Sequence, residues 1–407
     1  MLLVRLAWLN LWRNRRRTLI TGASVFFAVI MAIIMRASTL GIYDNLIHNF
    51  VSFSSGYLQV NQKGFHDEPS LDLAMVFSPG LIGILKEEGG ITAVIPRMQS
   101  FVLAAGSGQA KGALFMGVVP SLEKQSTGLH RRLCAGSYPE SDTAQVAMLG
   151  VDLASRLGLK PGDTVILIGQ GYHAVTAAGK YRVSGLLQLG SPELNQRIVY
   201  LPLHCAQQLL DAPGMATSLA LQIESPAKME ALARRLRPWI DTTQLELLTW
   251  KQLFPELDQF ITADSAGHII MSGVLYLVIS FGLLGTLLMM ARERTHEFGI
   301  LVSLGLKRSR IAFMLLCESV FISLMGCSAG IASGWLLVRW FHLNPIPLGG
   351  RLKEMYLSYG IEPVISVSNR PDVFTVQAMV VLFISLALVF VPMVKVFQLQ
   401  PVAALNS

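Results

Sequence analysis

The sequence predicts a membrane protein: four transmembrane α-helices, with a large α+β extracytoplasmic domain inserted between the first and second spans. Three observations predict this. Crossing a bilayer takes about 20 apolar residues in a helix, and stretches uncharged but for Glu318 stand at Thr18–Met35, Ile269–Ala291, Ile311–Val338 and Val373–Val394. Residues 41–268 contain no such run. The basic residues gather beside the apolar stretches, five in the first 17 positions and five between Arg292 and Arg310.

Composition fits the same division. With 14% charged residues and a mean hydropathy of +0.50, the chain of 407 residues is too apolar for an ordinary soluble protein and too polar to be all spans. The formal net charge of +7 would suggest nucleic acid in a soluble protein. Here topology and anionic lipid account for it, because Lys and Arg collect in cytoplasmic loops. No nucleic-acid-binding motif is present, so that partner class is excluded.

Residues 1–40 form an N-terminal amphipathic segment and the first span. Leu2, Leu6, Leu9 and Trp12 alternate with Arg5, Arg13, Arg15, Arg16 and Arg17, the pattern of an interfacial helix with Trp8 and Trp12 at headgroup level. The apolar run that follows is long for a signal peptide and shows no clear small-residue cleavage pattern, so it reads as an uncleaved anchor.

Residues 41–268 read as the folded extracytoplasmic domain with a stalk. Its strand candidates are Tyr57–Val60, Leu114–Val118, Thr164–Gly169, Tyr181–Leu187, Ile198–Leu203 and Ser218–Ile223. Ser78-Pro79 and Ser225-Pro226 mark helix starts. A helix ends at Gly158, and Pro161-Gly162-Asp163 turns the chain into a strand. Residues 244–268 read as a helix entering the second span, with Leu245, Leu248, Leu253 and Phe254 on its apolar side and a kink at Pro255.

Residues 269–407 hold the remaining spans. The proline and glycine density of residues 342–371 argues against a regular element there. Lys395 stops the fourth span on the cytoplasmic side, so the chain is expected to be a multi-pass protein of the inner (cytoplasmic) membrane, with both termini in the cytoplasm and the large domain in the periplasm.

Between the second and third spans, the five basic residues from Arg292 to Arg310 mark a cytoplasmic loop. Phe298, Leu301 and Val302 make an apolar stripe on a helix of about two turns, near residues 296–306, with Glu297 and Ser303 off it. Gly305 supplies the left-handed residue that stops it. Such a helix either lies on the membrane as a turn or docks into a groove on a partner.

Catalytic chemistry finds no support. Gly106 to Gly112, GSGQAKG, is out of register for a phosphate loop and reads as a polar hairpin. His66, Asp67, Glu68 and Asp72 lack a second nearby histidine and read as a solvated loop. His173, His204 and His268 stand alone, and no serine sits in a nucleophile elbow. Glu318, an acid about two turns into the third span, is expected to face protein or water and to pair with Arg292, Arg294 or a basic residue of the first segment. Gly326, Ala329, Gly330, Ser333 and Gly334 permit close helix approach. Cys317 and Cys327 are expected to be buried small hydrophobes. Cys134 and Cys205 fall outside the cytoplasm, where a disulfide is chemically allowed.

The stretch from Glu293 to Leu337, ERTHEFGILVSLGLKRSRIAFMLLCESVFISLMGCSAGIASGWLL, resembles the signature of the FtsX-like permeases, the class of ABC transporter membrane subunits that includes MacB and the lipoprotein-release permeases. Residues 145–223 are similar to the MacB-like periplasmic core domain, and the closing QLQPVAALNS resembles the family's ending. The resemblance implies that Glu297, Phe298, Gly299, Ile300, Leu301, Val302, Leu304 and Gly305 form a coupling helix. That helix would insert into a cytoplasmic ATPase dimer, with Glu318 in a structural or transmitting role. It also implies a second permease copy or homologue, contacts with membrane lipids, and no cofactor on this chain, ATP and magnesium belonging to the separate ATPase. The start of the outer domain, SSGYLQVNQKGFHDEPSLD, looks most like the lipoprotein-release branch and makes lipoproteins the expected substrate. The alternatives are an exporter subunit for drugs or peptides with a periplasmic adaptor, and a regulator of cell-wall hydrolases.

Overall fold

The hydropathy pattern becomes helices of membrane-crossing length. The computed structural model describes residues 2–13, 15–77, 79–241, 243–358 and 363–398. They divide into a helical unit (Met1–Asp44, Ile261–Pro347, Val364–Ser407) and a sheet unit (Asn45–Phe260, Leu348–Pro363).

The helical unit draws on α1 (Leu2–Arg13), α2 (Arg15–Ser54), α3 (Pro255–Glu293), α4 (Thr295–Ser303), α5 (Arg308–Leu343) and α6 (Pro371–Phe397). Helices α2, α3, α5 and α6 are long and apolar enough to cross a membrane, and the four predicted spans lie inside them. Most deeply packed is α5, with more than half of its apolar window buried.

The small residues of α5 divide by face. A Cβ added at Gly326 would lie 2.8 Å from the Val25 Cβ of α2, one at Gly330 2.8 Å from the Val29 Cβ, and one at Gly334 3.0 Å from Ile33 Cδ1. Ala329 points away and is exposed. The contact is therefore glycine at every fourth position, which lets two backbones approach. Gly330→Leu is expected to cost about 1–3 kcal/mol through overpacking, read as a lower melting temperature in detergent. Ala329→Leu should leave the melt unchanged.

Polar side chains tie the helices at the end away from α4. Tyr43 donates to Asp264 Oδ2 at 2.6 Å, Ser368 donates to Asp44 Oδ2 at 2.9 Å, and Arg370 pairs with Asp44.

The sheet unit is α+β. Its main strands are β1 (Leu58–Gln62), β2 (Ile91–Gly106), β3 (Gln109–Val118), β4 (Leu133–Gly136), β5 (Val146–Gly150), β6 (Thr164–Gln170), β7 (Thr176–Leu187), β8 (Ile198–Pro202), β9 (Ser218–Ile223) and β10 (Leu245–Thr249). The order is β10-β1-β9-β2-β3-β8-β5-β7-β4, with β6 bridging β2 and β7. The β3/β8 and β5/β7 pairs are parallel and the rest antiparallel. Alternating side chains give the sheet two apolar faces. On one, Met98, Val102, Phe115 and Val199 pack with Leu153, Leu157 and Ala206 from the helices Val151–Leu157 and Leu203–Leu209. On the other, Met116, Val118, Met148 and Tyr200 pack with Phe53, Leu129 and Leu189.

All six predicted strands fall on observed ones. Gly158 ends its helix at φ +66°, and the Asp163 side chain accepts the Lys160 amide at 2.8 Å across the predicted turn. GSGQAKG is the β2–β3 hairpin, turning at Ser107 (φ 36°) and Gly108 (φ 82°). Ser225 makes no side-chain capping bond, and a 3-10 turn, Pro226–Lys228, leads into the helix Met229–Leu236. Ser78, and the tail beyond Gln398, lie outside the described residues.

Several expectations are corrected. The long strand β2 went unread because Pro96 and the charged Arg97 break its apolar pattern. Arg97 is buried and makes a two-pronged ion pair with Glu123, at 2.8 and 3.2 Å, while Thr127 donates to the same carboxylate at 2.8 Å. Residues 244–268 are not one helix. Leu245–Thr249 is strand β10, paired with β1 from Leu58↔Thr249 to Gln62↔Leu245, followed by the short helix Trp250–Leu253 under a Thr249/Gln252 capping box. Pro255 starts α3 instead of kinking it, because the first helical position needs no backbone donor. Within residues 342–371, Ile346–Pro347 pairs with Val364–Ile365 and Gly350–Ser358 is helical. The prolines and glycines flank that helix, leaving 351–358 free of both.

Candidate functional site

Helix α4 occupies the predicted segment. It follows α3 after a single non-helical residue, Arg294, whose carbonyl accepts the Phe298 amide at 2.9 Å. Glu297 lies in its first turn, where a negative charge suits the helix dipole. At the other end Gly305 takes φ +93°. The Gly305 amide donates to Val302 O and the Leu306 amide to Leu301 O, both at 3.0 Å. These two bonds make a Schellman ending, and Leu301 and Leu306 supply its apolar contact in one cluster.

The orientation of α4 corrects the sequence reading. Phe298 is only 1% exposed, and Leu301 and Val302 are half-buried. All three pack into a cluster with Ala7 and Leu11 of α1, Leu287 and Met290 of α3, Ile311 and Leu315 of α5, and Val396 of α6. The predicted apolar stripe therefore seats the helix on its own bundle. The free face carries His296, Ile300, Ser303, Leu304 and Lys307, with Ile300 44% and Leu304 78% exposed. Gly299 is buried. Pattern alone shows that a short helix has an apolar side; it does not say whether that side meets the same chain or another.

Glu318 is the second element of the site. It is buried on α5 and pairs with the buried Arg294, one of the three predicted kinds of partner, while Arg292 is exposed. Its other oxygen accepts from Asn10 Nδ2 at 2.9 Å. Arg294 also donates to Glu297 Oε2 at 3.2 Å, and its guanidinium lies 5.2 Å from the Phe298 ring centroid. Arg13 of α1 stands 3.7 Å from the same Glu297 oxygen. This outer pair is solvent-exposed and contributes little. The inner pair is different: two buried charges stay only because each has several hydrogen-bond partners, and removing one leaves the other uncompensated. The network thus ties α1, α4 and α5 together at the foot of α4.

Asn10 was missed in the sequence. Its signal is one amide in the apolar run from Leu6 to Leu11, on a helix whose Ala7 and Leu11 turn inward while Leu6, Leu9 and Trp12 stay exposed.

Cys134 and Cys205 are both free, a further correction. The exposed Cys134 thiol donates to Leu186 O at 3.2 Å, and Cys205, buried in the helix Leu203–Leu209, donates to Ala144 O at 3.3 Å. Burial, and then the Asp142 carboxylate, push the Cys205 thiol up, so little of it is thiolate near neutral pH. Maleimide at pH 7.5 is expected to label Cys134 at least about tenfold faster than Cys205, because the thiolate is the reacting form. Peptide mass spectrometry reads the two rates.

The chain was compared with known proteins. The model for the FtsX-like permease C-terminal region matches residues 269–401, and that for the MacB-like periplasmic core domain matches residues 18–239. Similar proteins include the lipoprotein-releasing system transmembrane protein LolC of Neisseria meningitidis, 24% identical over 63% of each chain. Another is the pyoverdine export ATP-binding/permease protein PvdT of Pseudomonas syringae, 24% identical over 99% of this chain and 59% of that one. The chain thus spans somewhat less than two thirds of the length of either relative. Among solved structures, the periplasmic region of MacB from Actinobacillus actinomycetemcomitans aligns with 49% of this chain and 92% of its own, at 16% identity and a TM-score of 0.35.

Proposed function

The chain belongs to the FtsX-like permeases with a MacB-like periplasmic core domain, membrane subunits of ABC transporters, and from that premise we propose that it couples ATP hydrolysis by a separate cytoplasmic ATPase to work on lipoproteins outside the membrane. The observation that carries this reading is the construction of α4. A helix capped at its end, held by a buried ion pair and showing Ile300 and Leu304 to solvent is built to receive a partner and to pass a push inward.

In the proposed cycle, ATP closes a pair of ATPase subunits beneath two permeases, this chain and a second copy or homologue. Magnesium and nucleotide stay on the ATPase. The displaced α4 carries Arg294 with it, and through Glu318 and Asn10 moves α5 and α1. Helices α2 and α3 provide covalent routes into the sheet unit, which would lie in the periplasm with both termini in the cytoplasm. A rigid, buried linkage suits this task, since packed interfaces switch between discrete arrangements and do not deform continuously. No catalytic step falls to this chain.

The test is a mild-detergent pull-down from the native membrane, with mass spectrometry of what is retained. An ATPase together with lipoproteins is the expected result. An ATPase with a periplasmic adaptor would favour the export reading, in line with the likeness to PvdT. Absence of any ATPase would overturn the coupling role.

A further inference from the structure

The sheet unit contains a cavity of about 370 Å³ that the coupling reading leaves unused. Its floor is apolar: Phe65, Leu71, Met116 and Leu253 line it and are buried. Leu114 and Phe254 complete the apolar wall. The space continues across the uncovered end of the sheet. Phe101 pairs with Leu114 across β2 and β3, and Leu103 pairs with Ile168 across β2 and β6. Residues two apart on a strand share a face, so Phe101, Leu103 and Ile168 extend the cavity as a lane of side chains 70%, 44% and 42% exposed. At Leu103 and Ile168 the strands are already paired on both sides, β2 between β3 and β6 and β6 between β2 and β7, so no peptide can add there as a further strand. On the solvent side stand Arg197 and Glu193, 3.4 Å apart and mostly exposed, and the exposed His66 imidazole.

Each feature narrows the occupant. A volume at the small end of ligand pockets, which run about 300–1,000 Å³, admits one chain and not two. An apolar cavity leading into an apolar lane fits something long and unbranched better than a compact ring system. A cation and an anion side by side at the entrance match a head carrying both charges. We infer that the cavity binds a single-chain zwitterionic phospholipid. The acyl chain lies along the floor and lane, the phosphate faces Arg197 and His66, and the ammonium faces Glu193.

The full-length protein in nanodiscs of two-chain phospholipid tests this, with lysophosphatidylethanolamine bearing a terminal diazirine as the probe. After irradiation, adducts are expected on peptides carrying Phe101, Leu114 or Phe254, as well as on the membrane spans. Unlabelled lysophosphatidylethanolamine should compete at the sheet unit, and a fatty acid of equal length should compete at least about tenfold less well, the loss of one charge-assisted contact. Leu114→Trp, which fills the cavity, should cut the sheet-unit adducts about fivefold or more and leave the span adducts as an unchanged internal control. Phe101→Asp, at an exposed position that folding does not depend on, should act in the same direction. Adducts confined to the spans would overturn the site. So would sheet-unit adducts that persist in Phe101→Asp, and equal competition by the fatty acid would overturn the head-group assignment. None of these readouts involves the ATPase, so the coupling role and the lipid site stand or fall separately.

Discussion

Glutamate in place of both Ile300 and Leu304 is expected to strip the ATPase from the solubilised permease while the permease itself stays folded. Both side chains are exposed on α4, so the change costs the isolated chain little. Each would bury on docking, and a fully buried aliphatic side chain is worth about 1.5–3 kcal/mol. Losing two, and forcing two carboxylates into an apolar groove, should weaken the complex by about a hundredfold or more. Phe298→Glu is the informative contrast. Phe298 sits inside the bundle and under the Arg294 guanidinium, so a charge there should lower the melting temperature of the permease even without a partner. The measurement is ATPase retention on affinity-purified permease beside a thermal melt of the same sample. Full retention with both glutamates on the free face would sink the docking assignment for α4.

The second large effect is expected at Glu318. Glu318→Ala leaves Arg294 buried without its counter-ion, and breaking a buried pair from one side costs about 3–5 kcal/mol. Arg294→Ala strands the acid to a similar extent. Replacing both with apolar residues, as in the Arg294→Met/Glu318→Leu double variant, removes the charges together and should recover most of the loss. Equilibrium unfolding of the four proteins in mixed micelles gives the cycle. If the pair transmits force, the double variant will bind the ATPase normally yet lose permease-dependent stimulation of hydrolysis. A cost below about 1 kcal/mol for Glu318→Ala would mean that water reaches the site and that the pair resembles a surface one.

The sequence revealed features set by local chemistry. Hydropathy located the four long helices, alternation and β-branching six strands, and glycine the stops at Gly158 and Gly305. It failed where a distant partner decides. Leu245–Thr249 fits a helix face as well as a strand, and only pairing with β1 settles it. Pro96 and Arg97 hide β2 because the ion pair with Glu123 is invisible in the local pattern. The same limit governs the site. The stripe on α4 was plain, but its direction depends on Ala7 and Leu11 being available to cover it. Glu318 announced itself as a costly charge, and Asn10 did not, because a single amide on a terminal helix carries no such signal.

The sheet has one further consequence, for the way it is made. Strand β1 is the first to be synthesised, and its neighbours on both sides, β9 and β10, are the last. Throughout most of translation Leu58 and Val60, later buried, belong to a strand with neither edge paired, the state in which strands associate with other chains. Closing so long a loop is slow, since its entropy is lost before the contacts form. A ribosome that stalls anywhere before Ser218 therefore leaves a fragment whose opening strand has no mate, which makes premature termination within this unit a source of aggregates and not of smaller working domains.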